Sequence, residues 1–215
     1  MTLFSVWRVA MRNFSLFILL LASTVPVLGC DEERLVSIYP LYDKQTLTFE
    51  PGLEGTWKPE GESSSWAFEK TSENRYHLTI AEPQSAGKRE AEELVFDVVP
   101  VKLAGKLFLD FYSKDSGPTG APAHVIMRAR LEQDAMFLIE PNHAWMRDRL
   151  RMESFMKFLE PSDGQLIIST PTPDLRYFFT IHAWNGDAFK EDEELVLRRV
   201  VKIVSHAEMF SRNES

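Results

Sequence analysis

The sequence predicts a mainly β protein with two helices (α+β), in which an antiparallel meander curves into a barrel or half-barrel and the helices cover an opening or an edge. Short segments of alternating apolar and polar residues follow one another from residue 65 to residue 139. After Pro141 the apolar period changes to that of a helix. With 44% hydrophobic and 12% aromatic residues, the chain has enough apolar side chains for a core.

The strand predictions follow this alternation in chain order. A short β-like stretch at 47–49 is followed by predicted strands at 53–57, 65–69, 75–80, 94–101, 106–112, 124–131 and 135–139. Turn residues separate several of them, as at Ser72-Glu73-Asn74 and Ala104-Gly105. A meander of about seven strands has two open edges, so closure or a second layer has to protect them.

Helical periodicity begins after Pro141. Asn142 is a good N-cap residue, and the i,i+4 pairs that follow, the last of them Phe155/Leu159, predict a helix that reaches about residue 159. A strand is predicted at 165–169, and Thr172 with Pro173 starts a second helix that ends at Asn185-Gly186. A last strand is predicted at about 194–200.

The segment Leu53-Glu54-Gly55-Thr56-Trp57 carries a Gly-x-Trp pattern at the start of a predicted strand. A glycine there lets neighbouring backbone approach, and a large indole can plug the closed end of a barrel. The pattern resembles the signature that opens the first strand of lipocalin-type barrels, and the resemblance spans residues 53–139. An ordinary buried tryptophan at a strand start is the alternative. The two predicted helices depart from the plain lipocalin pattern, which has one helix after its last barrel strands.

The N-terminal stretch is typical of a secretory signal peptide. Arg8 and Arg12 precede an apolar run, and Pro26 and Gly29 end it. The run is short for a permanent membrane span, which needs about 20 apolar residues. An uncleaved N-terminal anchor helix is the alternative.

The residues Val27, Leu28, Gly29 and Cys30 end that stretch and resemble the lipobox of bacterial lipoproteins. The resemblance implies cleavage after Gly29 and attachment of diacylglycerol to the Cys30 sulfur, with a further acyl group usual on the new amino terminus. Two or three acyl chains hold a protein on a bilayer stably. A small buried cysteine is the alternative, but the acidic run that begins at Asp31 favours solvent.

Two further N-terminal features suggest the membrane to which the protein is sorted and the family that it resembles. An aspartate after the lipidated cysteine, here Asp31, resembles an inner-membrane retention signal of some bacterial groups, so the inner membrane is slightly favoured over the outer. The Pro40-Leu41-Tyr42 start and the Gly-x-Trp segment are similar to those of uncharacterised bacterial lipoproteins.

Four regions follow from these features. Residues 1–29 are expected to be a signal peptide, 30–43 a lipidated tether, 44–203 a single β-rich globular domain, and 204–215 a polar C-terminal tail.

Removal of residues 1–29 takes away two arginines and no acid, so the mature chain has 22 basic and 32 acidic residues and a net charge of −10. Such a charge repels nucleic acid phosphates, and no nucleic acid partner is expected. Cys30 is the single cysteine of the chain, so no disulfide forms within it.

Few residues of the chain suggest metal binding or catalysis. The five histidines are not at metal-ligand spacing from one another or from a cysteine, so neither a metal nor a cofactor is expected. If Leu103 pairs with Lys106 across a hairpin, Asp97 and Asp110 lie diagonally on one sheet face, roughly 7–8 Å apart, a separation close to that of paired glycosidase carboxylates. Two acids on a solvent face are the more common case.

The basic residues of the chain concentrate in two places, one on a strand and one on the first helix. Binding of an anionic ligand or a lipid headgroup is one interpretation, but a solvated face is favoured because neighbouring helix positions point in different directions. The arginines are Arg128, Arg130, Arg147, Arg149 and Arg151.

Three functions remain. The first is a non-catalytic, lipid-anchored envelope protein that binds a small apolar ligand or a protein partner, with Trp57, Trp66, Phe68 and Tyr76 lining the ligand site. The second is a structural or assembly lipoprotein with a filled core. A hydrolase ranks third, since no phosphate loop, nucleophile elbow or Ser/Cys–His pattern is found. A hollow interior would favour the first and a filled one the second.

Overall fold

We describe a computed structural model of the chain over residues 35–82, 93–113, 123–161 and 164–201. The expected signal peptide, Cys30 and residues 202–215 lie outside these ranges. The strands are β1 (Leu35–Ser37), β2 (Gly55–Pro59), β3 (Ser65–Ser72), β4 (Arg75–Ala81), β5 (Glu93–Leu103), β6 (Lys106–Ser113), β7 (Ala123–Leu131), β8 (Ala135–Ile139), β9 (Phe158–Leu159), β10 (Leu166–Ile168) and β11 (Leu195–Arg199). The helices are α1 (His143–Met152) and α2 (Thr172–His182), and three short 3₁₀ turns include Pro51–Leu53.

Eight of these strands form a closed antiparallel barrel. Strands β2 to β8 pair in chain order, and β11 lies between β8 and β2 and closes the ring. The barrel and the mainly β class with two helices are therefore confirmed, and closure removes the open edges of the meander. Outside the ring, Ser37 of β1 pairs with His124 of β7, while β10 pairs parallel to β1 and antiparallel to β9.

Alternation along the strands separates two apolar clusters. Residues from all eight barrel strands, such as Val98 and Leu109, pack into one cluster, which is therefore the barrel interior. Their neighbours Val99 and Phe108 belong to a second cluster together with both helices and β10. This second cluster, the outer layer, covers the outside of the wall formed by β5, β6 and β7.

The helices thus pack on the outer wall, which differs from the expectation that they cover an opening or an edge. The reason lies in β5 and β6, where residues on both faces are apolar, as in the buried run from Val98 to Val101. A sheet with two apolar faces needs cover on both. Phe108 meets Phe179 of α2 at a ring-centroid distance of 5.8 Å.

The first helix is shorter than predicted. Asn142 caps it as expected, with its side chain accepting from the Trp145 N–H, but α1 ends at Met152. The apolar pair Phe155/Leu159 does not continue the helix, because Phe158–Leu159 forms β9 and pairs with β10. Pro100 is accommodated within β5 because the pairing with β4 ends at Val98, so the missing N–H interrupts no ladder there.

Residues 35–43, which the sequence suggested belong to a tether, are part of the folded body. Strand β1 pairs with β7 and β10, and Leu41 is fully buried in the outer layer. The described part of the expected tether, residues 35–43, is therefore held in the fold.

Candidate functional site

The four aromatic residues predicted to line a ligand site all lie in the barrel interior. Trp57, Trp66, Phe68 and Tyr76 are each at most 2% exposed and belong to the interior cluster. The structure therefore brings them together, but as core residues in contact with other apolar side chains. At one end of the barrel, the Trp57 indole donates to the Leu53 carbonyl at 2.9 Å, and the Tyr76 hydroxyl donates to the Glu50 carbonyl at 2.9 Å. These bonds hold the 3₁₀ turn Pro51–Leu53 across that end.

Arg199, at the end of β11, completes this closed end. Its guanidinium lies 4.2 Å from the centroid of the Trp57 ring and donates to the carbonyls of Glu54, at 2.7 Å, and Gly52, at 2.5 Å. Gly55 is needed beside it, because its φ is +128° and an added Cβ would lie 2.9 Å from Arg199 Nη1. The glycine of the Gly-x-Trp pattern thus permits a close approach, although by a side chain and not by backbone.

Sequence reasoning missed Arg199. The signal that could have found it is alternation in the last strand, because Leu195, Leu197 and Arg199 share one face. A charged residue on the apolar face of a strand needs a special environment, and here the aromatic ring and two carbonyls supply it.

The interior has little free space. A cavity of about 20 Å³ lies among apolar side chains that include Trp66, Phe96 and Met127. This volume is about that of one water molecule, whereas ligand pockets usually measure about 300–1,000 Å³. Side chains therefore fill the described part of the barrel interior.

The two carboxylates on the outer wall have the register that the sequence predicted. Asp97 is opposite Tyr112 and Asp110 is opposite Val99, with Leu103 opposite Lys106. Their environments differ. The Asp97 side chain is one-third exposed, 3.6 Å from His77 Nδ1, whereas the Asp110 side chain is completely buried. They do not form the matched, solvent-facing pair that a glycosidase needs.

Both oxygens of Asp110 have partners. Oδ1 lies 2.6 Å from His124 Nδ1, and Oδ2 accepts the Leu41 backbone N–H at 2.7 Å. The Tyr112 ring lies 4.8 Å from the imidazole, centroid to centroid, and covers it. This arrangement positions Asp110 to fix the segment that carries Leu41, and it leaves the carboxylate inaccessible to a substrate.

Residues 40–43, which we call the N-terminal clasp, join the start of the described chain to the barrel and to α2. The Pro40 carbonyl accepts from the Thr172 hydroxyl at 2.8 Å, and Asp43 forms an ion pair with Arg176. The hydrogen bond from Arg176 is the largest cause of a lowered pKa for the Asp43 carboxyl. The Pro40-Leu41-Tyr42 segment noted in the sequence is therefore a point of attachment within the fold.

Tyr42 of the clasp remains a neutral phenol at ordinary pH. Burial is the largest cause of its raised pKa; the nearby Arg75 guanidinium opposes this effect and the Asp110 carboxylate adds to it. Tyr42 and the adjacent Asp110–His124 pair lie on the same outer face of the barrel, with the Tyr42 and His124 ring centroids 6.5 Å apart.

The five arginines do not converge on one site. Arg128 is buried, donates to the Ala183 carbonyl and pairs with Glu191. Each of the others has an acidic neighbour as well: Arg130 has Glu132 and Glu194, Arg149 has Glu153, and Arg147 and Arg151 share Glu160. Because these charges are compensated locally, the arrangement favours no anion site.

The buried histidine of α2 packs against aromatic rings. His182 is buried on the apolar side of α2, between the rings of Trp145 and Phe178. Burial is the largest cause of its lowered pKa, with Arg149 contributing. The part of the chain that the structure describes contains no group of three or more His, Cys, Asp or Glu side chains that could hold a metal ion. His206 lies outside the described residues.

Two further findings concern membrane-spanning helices and similarity to known proteins. Within the described ranges, neither helix has the length and apolar character that a membrane crossing requires. Val27, Leu28, Gly29 and Cys30 lie before the described residues, so their processing stays a prediction. Comparison with protein families, with curated proteins and with solved structures gives no match.

Proposed function

We propose that this chain is a lipid-anchored structural or assembly protein of the bacterial envelope, which acts through its outer surface and holds no ligand in its barrel. The observation that carries this proposal is the filled interior, whose cavity of about 20 Å³ is far below the size of a ligand pocket. A barrel filled by side chains is a rigid body. Such a body suits a protein that presents surfaces to partners.

The lipid anchor in this proposal depends on the lipobox-like residues Val27, Leu28, Gly29 and Cys30. Their position directly after an apolar leader, and the use of the single cysteine of the chain, support acylation of Cys30. The mature protein would then face the periplasm from its membrane. Asp31 supports the inner membrane over the outer.

We also infer that the barrel is lipocalin-like. Support comes from the eight closed antiparallel strands and from Gly55 and Trp57 at the start of the first barrel strand, where the indole closes one end. The chain departs from that fold between β8 and β11, where both helices and two short strands are inserted. A lipocalin barrel that holds a ligand has a hollow interior, and this one does not.

Two measurements test the anchor. The intact mass of protein extracted from membranes should equal the chain from Cys30 onward plus a diacylglycerol and an acyl group. Cys30→Ser should release the protein from the membrane fraction. Ser23→Ala, in the same leader but outside the lipobox-like residues, should leave the protein membrane-bound. A membrane-bound, unprocessed Cys30→Ser protein would instead show a retained anchor helix.

A third measurement tests the filled barrel. Native mass spectrometry of the delipidated protein should show the polypeptide alone. A small apolar molecule that stays bound through purification would overturn the structural assignment and favour ligand binding in the barrel.

A further inference from the structure

The second helix and the turn that follows it carry three large side chains that remain about half exposed or more. Tyr177 is 56% exposed, Ile181 46% and Trp184 69%. Tyr177 and Ile181 are four residues apart on one face of the helix, and Trp184 follows in the turn after its end; we call these three residues the α2 stripe. The buried positions of the same helix, such as Leu175 and Phe179, lie on the opposite side. An exposed row of this kind marks an interaction surface.

The chemistry of the stripe suits the boundary between water and lipid. Tryptophan and tyrosine are enriched at membrane interfaces because each ring is apolar and also carries a polar group. The Lys106 ammonium lies 3.7 Å from the centroid of the Trp184 ring, within reach of a headgroup phosphate above that ring. The Trp184 N–H donates to the Ala104 carbonyl at 2.8 Å, which fixes the ring against the β5–β6 turn.

The position of the α2 stripe relative to the lipid anchor also supports a membrane contact, and this step rests on the proposed function. Four residues separate Cys30 from the start of β1 at Leu35, so the lipidated residue is at most about 18 Å from the fold. A folded body of this size is about 40 Å across. So short a connection keeps the side of the body near β1 against the bilayer.

The beginning of α2 is attached to the segment that follows β1. The chain passes from β1 through the exposed Ile38 and Tyr39 to Pro40, whose carbonyl accepts from Thr172 at the beginning of α2. The helix is about 16 Å long, so Tyr177 and Ile181 lie within one helix length of Thr172.

We propose that the α2 stripe lies on the membrane that holds the acylated Cys30, with Tyr177, Ile181 and Trp184 at the headgroup level of zwitterionic phospholipids. The net charge of −10 on the mature chain disfavours an anionic bilayer and favours a zwitterionic one. The contact fixes the orientation of the body, so that the barrel wall opposite α2 faces away from the membrane.

The test uses the acylated mature protein in phosphatidylcholine–phosphatidylethanolamine vesicles. Because the acyl group occupies Cys30, a cysteine introduced by Ile181→Cys can be labelled alone with a fluorophore. Lys58→Cys is the matched control, since Lys58 is exposed on β2, four strands from β6 around the eight-stranded ring. Tyr177→Cys serves as a second stripe variant if Ile181→Cys does not fold.

The expected result is that brominated lipid quenches the label at position 181, which also loses most of its access to aqueous iodide. The label at position 58 should show the reverse. Equal iodide access at both positions, in protein that floats with the vesicles, overturns the membrane contact and leaves the anchor intact. Shielding from iodide at position 181 without quenching by lipid means that a second copy or another protein covers the stripe, and this also overturns the proposal. Protein that does not float with the vesicles overturns the anchor itself.

Discussion

The barrel interior and the outer layer are both well packed, but different forces hold them. The interior cluster consists of apolar side chains from eight strands, sealed at one end by Trp57 and Arg199. The outer layer includes buried charged or titratable groups, notably Asp110, His124 and Arg128, each with a specific partner. Close packing of apolar side chains therefore stabilises the interior. The outer layer is attached by apolar packing and, in addition, by hydrogen bonds in fixed directions. The barrel provides rigidity, and the polar bonds determine where the N-terminal clasp and the helices lie on it.

The largest effect is expected from removing volume inside the barrel. Phe68→Ala should lower the free energy of unfolding by about 3–5 kcal/mol, because the ring is buried and its loss leaves a cavity. Phe49→Ala is the matched control and should cost about 1 kcal/mol, since Phe49 is 43% exposed and loses mainly its stacking on Tyr76. Denaturant unfolding measures both. Equal losses would show that the interior is not the principal core.

The next largest effect is expected at Asp110, and it should exceed the effect of the same substitution at Asp97 on the same outer wall. Asp110→Ala should lower the free energy of unfolding by about 3 kcal/mol, because it leaves the His124 imidazole and the Leu41 N–H without their buried partner. Asp97→Ala should cost less than about 1 kcal/mol, as expected for a partly exposed pair.

Hydrogen exchange can locate the damage in Asp110→Ala. Faster exchange of the Leu41 amide with unchanged exchange in β2 and β3 would show that the clasp has loosened while the barrel is intact. A uniform rise throughout the chain would contradict the separate roles of the two regions.

A smaller effect tests the closed end of the barrel. Gly55→Ala should lower the free energy of unfolding by about 1–3 kcal/mol, because φ is +128° and the new Cβ would meet Arg199. Gly186→Ala, where an added Cβ meets nothing within 4 Å, should be neutral or slightly stabilising. Thermal unfolding of the two variants side by side provides the measurement. A neutral Gly55→Ala would contradict the requirement for glycine at this position.

The smallest effect is a pH dependence in the outer layer. Burial lowers the pKa of His182 in the folded protein, so the unfolded chain binds the proton more tightly. The stability that His182 contributes is therefore fully present above its unfolded pKa, near 6.5, and is lost as the pH falls towards the folded pKa. Compared with the wild type, His182→Gln should show a shallower loss of unfolding free energy across this range. Identical pH profiles for the two proteins would exclude His182 as the source.

Local patterns in the sequence predicted the strands well. Alternation located the barrel strands from β3 to β8, and turn residues placed Leu103 opposite Lys106, which fixed the positions of Asp97 and Asp110. These features depend on neighbours along the chain, where the period of the side chains is directly visible.

Features that depend on distant residues were not predictable in the same way. Alternation shows that Asp110 points away from the interior, but it does not show that Leu41 and His124 cover it. Likewise, Arg199 has its role only because β11 returns to pair with β2. The apolar residues on both faces of β5 could have indicated a second layer, but the amphipathic pattern of α2 does not show which surface the helix covers.

The position of β11 has a consequence for how the chain folds as it is made. The contact between Arg199 and the Gly52 carbonyl joins residues 147 apart, and no strand before β11 can supply it. Until Leu195–Arg199 has left the ribosome, β2 and β8 remain unpaired along one side, and such strands readily join those of another molecule. Completion of the ring therefore waits for the synthesis of β11, and a chain that stops short of Leu195 should aggregate instead of folding to a smaller barrel.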